Sequence, residues 1–231
     1  MYIFIVSPSY SGSTVLYKLL NTSPNITTLL SNSNPSHVGE GCALFHMTHK
    51  YKIENYLEIR NKPHIKLPMK LVKEAYESIW DKNKSIFCDK SIPTLYRAKE
   101  YNDYFQQYGK VYFISLIRNP YFTRHNITDW YQDAKYVKHN IEHFDNLLHI
   151  TYEELTDNIE SVIDKILNFI PKLEILDKNI SSTIGIRESN RNQEISNFNT
   201  APKNKKEKND ILNNNKEIIK IMKYFNYEYI E

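Results

Sequence analysis

The chain has 231 residues, 41% hydrophobic and 25% charged, enough apolar material to bury a core within one domain spanning 1–231. Its 30 basic and 27 acidic residues leave a net charge of +3, which excludes a global basic footprint for nucleic acid and requires any anion to be met by a local site. Two distant cysteines, Cys42 and Cys88, exclude a disulfide framework or zinc site, and the lack of a leader or long apolar run gives the expectation of a soluble, cytoplasmic protein with no membrane span.

Tyr2 to Val6 reads as a buried strand, Ser7 to Gly12 as a turn, and Ser13 to Leu20 as a helix with Val15, Leu16, Leu19 and Leu20 at helical spacing. This is the opening of a βαβ unit. Residues 22–49 are polar and turn-rich, with helical patterns following at about 50–58 and 68–80. A second strand is expected at Ser85 to Cys88, then a helix from about 94 to 107. Lys110 to Ile117 is the clearest strand, ending at Arg118-Asn119-Pro120, with a helix over about 121–138. Leu147 to Thr151 is a further strand, and Thr151 opens a Thr-x-x-Glu capping box into a helix ending near Ile170. After Pro171 the pattern weakens, the charge run 203–208 reads as a solvated approach, and a last amphipathic helix covers about 209–224. Strands alternating with helices specify an α/β domain with a mainly parallel central sheet.

A small-residue turn between strand and helix presents backbone N–H groups to an anion, reinforced by the positive end of the helix dipole. Ser11, Ser13 and Thr14 add hydroxyls, and Gly12 lets the backbone come close. Ser13 stands where a nucleotide-hydrolysing loop needs Lys, so a phosphate-loop shape is expected here without that chemistry. Arg118, at the carboxyl end of a central strand, lies on the edge where open α/β sheets bind ligands, and its guanidinium suits a phosphate.

With these two anchors in this order, the chain resembles the sulfotransferases that use 3'-phosphoadenosine-5'-phosphosulfate (PAPS). Their first turn and helix read close to P-[RK]-S-G-[TS]-T-x-L-x-x-L-L, similar to Pro8-Ser9-Tyr10-Ser11-Gly12-Ser13-Thr14 and the helix that follows. Their later strand reads like [FY]-I-x-L-x-R-[DN]-P, similar to Phe113 to Pro120. Asp89-Lys90-Ser91-Ile92-Pro93 resembles the [ED]-K-[ST]-P element of the carbohydrate and tyrosylprotein branches, with Ile92 added. Tyr152-Glu153-Glu154-Leu155 resembles Y-E-[DE]-L, and Tyr224-Phe225-Asn226-Tyr227 resembles the closing L-G-Y.

The resemblance implies a P-loop-like sulfotransferase fold and transfer of a sulfuryl group from PAPS to a hydroxyl or amine acceptor, such as a glycan or tyrosyl group. Adenosine 3',5'-bisphosphate (PAP) would be released, without a metal. It assigns Ser9, Tyr10, Ser11, Gly12, Ser13 and Thr14 to the 5'-phosphosulfate, Arg118 and Asn126 to the 3'-phosphate, and Lys90 to the leaving phosphate. Glu40 is the preferred base, with His37, His46 and His49 as rivals. Acceptor specificity is expected from 22–84 and 171–208, and Arg187 and Arg191 fall where such chains carry a late nucleotide-binding loop. Tyr10 replaces a basic residue, so a PAP-binding protein with little turnover is the alternative. Trp80 and Trp130 are expected in packing, with Trp130 near enough to Arg118 in sequence to border the nucleotide.

Overall fold

The computed structural model describes residues 1–28, 40–124, 126–179 and 202–230. His37, Arg187 and Arg191 lie outside them. Five parallel strands form the sheet: β1 (Tyr2–Val6), β2 (Ile26–Thr28), β3 (Ile86–Asp89), β4 (Val111–Ile117) and β5 (Leu147–Thr151). Their order is β2-β3-β1-β4-β5. Phe4 pairs with Asp89 on one side and Phe113 on the other, and Ile117 pairs with Thr151.

The strands read as continuous apolar runs because both faces of a parallel sheet are covered. Successive side chains then divide by parity. Ile3 and Ile5 of β1 pack with Ile114 and Leu116 against α1 (Ser13–Leu20) and residues 162 and 166 of a later helix. Tyr2, Phe4 and Val6 join Phe113 in an aromatic layer on the opposite face. That layer meets α4 (Met69–Glu77), α5 (Thr94–Phe105), α6 (Ile127–His143) and α10 (Lys216–Tyr224), which follow the short helices α2 (Leu44–Met47) and α3 (Tyr56–Ile59) and later ones given below. Phe105 lies 4.9 Å from Tyr2 and 5.1 Å from Phe4, centroid to centroid, distances typical of favourable ring pairs.

The α/β class and the positions of β1, α1, β3, β4 and β5 agree with the sequence reading, and five local features differ. The three-residue β2 lies in the stretch read as loop, too short for a periodic signal. The helix expected over 50–58 shrinks to α3, entered through Asn55 in the left-handed region at φ 52°. Pro120 opens a 3₁₀ turn, Pro120–Phe122, and α6 starts later, at the Asn126 cap. The helix expected to Ile170 divides into α7 (Tyr152–Asp157) and α8 (Ile159–Phe169), because Asn158 leaves helical geometry and its side chain caps the second. The last helix likewise divides into α9 (Lys205–Asn213) and α10 across Asn214 and Asn215, and the charge run enters α9 with Lys208 buried. Trp80 and Trp130 are core residues. No helix among the described residues is long and apolar enough to cross a membrane.

The chain passes from β3 to β4 across β1, so the strand order reverses there. The segments following β1, β3 and β4 consequently converge on the carboxyl edge of the sheet, the position of the ligand crevice in open α/β folds.

Candidate active site

β1 ends at Val6 and a loop runs to Gly12, with Ser7 and Ser11 buried. Two residues bend it through the left-handed region, Tyr10 at φ 62° and Gly12 at φ 89°. Gly12 is the N-cap of α1, which has no side-chain cap and no acidic residue in its first turn. The amides there are left to an outside acceptor and to the helix dipole. Ser11 Oγ is buried without a hydrogen-bond partner. A buried hydroxyl left unpaired in a native fold points to a missing partner, and the surrounding donors make an anion the chemical match.

β4 delivers Arg118 to the same edge. The preceding and following backbone is held on three sides: Tyr227 donates its hydroxyl to Ile117 O at 3.3 Å, Trp130 Nε1 donates to Arg118 O at 2.9 Å, and Asn119 N donates to Glu153 Oε1 at 3.1 Å. The guanidinium, half-buried, stands 4.0 Å over the ring of Tyr152. Burial shifts its pKa down from the ordinary arginine value, while Tyr152, Glu153 and Tyr227 act to raise it. Tyr152 is the first residue of α7, set in place by the capping box in which Thr151 Oγ1 accepts from Glu154 N and Glu154 Oε2 accepts from Thr151 N. One aromatic ring thus packs against both Gly12 of the β1–α1 loop and the arginine turn.

Beyond β3, Lys90 Nζ meets Glu40 Oε1 at 2.8 Å, with only 6% and 15% of the two side chains exposed. The contact is arranged by Asp89, fully buried at the end of β3. Its Oδ1 accepts from Gly41 N and Ser91 Oγ, both at 2.9 Å, and its Oδ2 accepts from Tyr76 at 3.1 Å. Ser91 Oγ in turn accepts from Cys42 N at 2.9 Å, so the backbone beside Glu40 is bound to the strand that carries Lys90. Burial lifts the Asp89 pKa to about 6 against the opposing hydrogen bonds and the Lys90 charge.

A cavity of about 360 Å³ opens beside this ion pair, with Ser9, Glu40, Arg60, Asn61, Tyr96 and Asp133 among its walls. Asp133 is buried and accepts a hydrogen bond from Tyr96. Arg60 and Asn61 belong to a loop organised by one buried guanidinium. Arg97 Nε donates to Arg60 O at 2.8 Å, Nη1 to Ile65 O at 2.9 Å, and Nη2 to Ile59 O at 2.6 Å and Lys62 O at 2.9 Å. Its fifth donor reaches Glu100 Oε2 at 2.6 Å, whose other oxygen accepts from Leu67 N.

The residues expected at the site therefore fall into three adjoining groups. Ser11, Gly12, Ser13 and Thr14 form the loop and first turn of α1, next to Arg118 across Tyr152. Ser9 and Glu40 line the cavity, and Lys90 is held against Glu40. Tyr10 and Asn126 line a second pocket, where Asn126 caps α6 by accepting from Asp129 N at 2.7 Å. His46 Nδ1 lies 3.2 Å from Cys42 O and its ring stacks on Tyr56, while His49 is exposed. Neither lines the cavity beside Glu40. Sequence reasoning missed Tyr152, Asp89 and Arg97. The capping box at Thr151 marked the position of Tyr152 without revealing what its ring touches. The walls of the cavity also extend beyond the expected stretches, into α5 and α6 at Tyr96 and Asp133.

A family model described as "Sulfotransferase domain" matches residues 2–231. Among solved structures, the chain is similar to a sulfotransferase domain from the curacin biosynthetic pathway, at 16% identity and TM-score 0.54, over 99% of this chain and 98% of that one. A sulfotransferase domain from the olefin synthase of Synechococcus PCC 7002 gives 15% identity and TM-score 0.55, over 98% and 94%. A sulfotransferase from Alicyclobacillus acidocaldarius gives 12% identity and TM-score 0.51, over 98% and 96%. These likenesses bear on the fold. Comparison with curated proteins finds no match.

Proposed function

Because the chain belongs to the sulfotransferase domain family, we propose that it moves a sulfuryl group from PAPS to a hydroxyl or amine acceptor and releases PAP. The observation that carries this reading is the convergence, on one sheet edge, of a loop with an orphaned buried hydroxyl, the Arg118 turn and the Glu40–Lys90 pair. Ser11, Ser13, Thr14 and the first amides of α1 would hold the 5'-phosphosulfate. Arg118, already fixed through its own and adjacent backbone, would hold the 3'-phosphate with Asn126. Each charge-assisted contact of this kind contributes about 1.5–3 kcal/mol. PAPS supplies the activated sulfuryl group, and the chain supplies orientation and charge.

The acceptor would lie in the cavity walled by Arg60, Asn61, Tyr96 and Asp133. Glu40 would take its proton, and Lys90, at 2.8 Å from Glu40, would balance the negative charge gathering on the leaving phosphate. The polar walls favour a hydroxyl-rich or amine-bearing acceptor, a glycan unit or tyrosyl group among them. One observation favours a second reading. Tyr10, 58% exposed, brings no charge to the loop, which would leave a PAP-binding protein with slow turnover.

Calorimetric titration with PAP, beside ADP and beside Arg118→Ala, tests the nucleotide assignment. Micromolar binding that needs the 3'-phosphate and is lost in the variant is expected, and a folded protein that ignores PAP would overturn the assignment. Transfer of radiolabelled sulfate from PAPS to a panel of sugars, amino sugars and phenols then separates the two readings.

A further inference from the structure

We propose that Arg124 supplies the cation that the β1–α1 loop lacks, holding a phosphate of the nucleotide in the pocket that Arg124 shares with Tyr10. The inference rests on the PAPS reading above. The loop from Ser9 to Thr14 offers only neutral donors. Amides and hydroxyls orient a phosphate, yet a guanidinium matches both its charge and its paired oxygens.

The exposed Tyr10 side chain lines a pocket of about 290 Å³, with Arg124, Asn126, Asp129, Glu207 and Lys208 in its other walls. A basic side chain at residue 10 would serve this pocket. Arg124 lines the same pocket and can serve it instead. Among the described residues Arg124 makes no hydrogen bond or ion pair, so its donors are uncommitted.

Its backbone is fixed on both sides. Lys208, buried on α9, donates to Pro120 O at 2.6 Å and to Thr123 O at 3.2 Å, which ties down the residue before Arg124. Two residues after Arg124, Asn126 caps α6. Lys208 therefore acts as a positioning residue whose own charge is lodged among carbonyls. Of the acids in the walls, Asp129 is held by Asn126 Nδ2 at 2.7 Å, and Glu207 adjoins the Lys208 charge. Two cations face two acids, so the pocket does not repel a phosphate as a whole, and Arg124 is the cation whose donors are not already spent on the protein.

The test is titration with PAP of the unaltered protein, Arg124→Ala, and the double variant Arg124→Ala with Tyr10→Arg, with thermal unfolding to verify that all three are folded. Arg124 is exposed, so the fold does not depend on it. The expected result is at least a tenfold loss of affinity in Arg124→Ala and recovery of most of it in the double variant, since both guanidinia would reach one pocket. Arg124→Ala binding PAP within twofold of the unaltered protein would overturn the inference and leave the PAPS reading standing. A loss that Tyr10→Arg does not restore would overturn the shared-pocket assignment. Failure of the unaltered protein to bind PAP would overturn the PAPS reading and this inference together.

Discussion

The ring of Tyr152 occupies the space that a side chain on Gly12 would need: a Cβ there would lie 2.4 Å from Tyr152 Cδ2 and 2.8 Å from Cε2. The same ring lies 4.0 Å beneath the Arg118 guanidinium. Residues far apart in the chain are therefore set against one another by one aromatic plane. The spacing between the β1–α1 loop and the arginine is fixed by packing.

Gly12→Ala is expected to destabilise the protein by about 2–4 kcal/mol, from strain at φ 89° together with the clash against a buried ring. Tyr152→Ala in the same chain removes the clash and leaves the strain. The double variant should lose less than the sum of the singles, a coupling that urea denaturation of the four proteins measures. Strict additivity would show that the two residues do not constrain each other.

Glu40→Gln is expected to slow sulfuryl transfer by about 100-fold or more, the range for removal of a general base, while PAP affinity changes little. Lys90→Ala should lower turnover too, and should also lower stability by leaving a largely buried Glu40 without its partner at 2.8 Å. Single-turnover rates with labelled PAPS, read beside PAP affinities, check both. Full activity in Glu40→Gln would move the base elsewhere.

Two groups tilt stability with pH in opposite directions. Asp89 keeps its proton up to about pH 6 in the folded protein, mainly through burial, against an ordinary value of 3.8. Between these values the folded state binds more protons than the unfolded one, so this group's contribution to stability falls as pH rises. His149 is part-buried on β5 with Nδ1 2.7 Å from Ser115 Oγ, and this burial lowers its pKa to about 4 from 6.5. Between those values the unfolded state binds more protons, so its contribution rises with pH. Asp89→Asn should therefore unmask a loss of stability on acidification from pH 6 to 4, amounting to about 2–3 kcal/mol relative to the unaltered protein. Denaturation midpoints across that window test it, and parallel curves for the two proteins would contradict it.

Arg97→Lys is expected to destabilise by about 2–4 kcal/mol, since an ammonium has three donors where five are in use and the buried Arg97 site would leave at least two part-buried acceptors without their bond. Hydrogen exchange should rise selectively across residues 59–67, which one guanidinium holds together. Unchanged protection there would show that the loop is ordered by other contacts.

Much of this was legible in the sequence where the signal is local. β1, α1 and the Thr151 capping box follow from runs and caps that a few neighbouring residues specify. Arg118 could be placed because β4 is an unbroken apolar strand that ends at it. Tyr152, Asp89 and Arg97 could not, since their roles lie in contacts with segments distant in sequence. Nothing near Arg97 in the chain indicates that its donors will close on the carbonyls of residues 59, 60, 62 and 65. The Asn-rich composition also hid structure, because Asn126, Asn158 and Asn215 are helix caps that resemble the Asn residues scattered elsewhere. Lys208 was concealed by its charged neighbours, which are solvated where it is buried.

The central place of β1 has a consequence for the order of events during synthesis. β1 pairs with β3 and β4, which are made much later. The Arg118 turn then awaits Tyr227, whose hydroxyl reaches Ile117 O from 110 residues downstream. High sequence separation between pairing partners slows folding, because loop closure must precede the contacts that reward it. β1 is therefore an apolar strand without its partners until the chain has been made through β3 and β4. That interval is when a chaperone, or aggregation, has access to it.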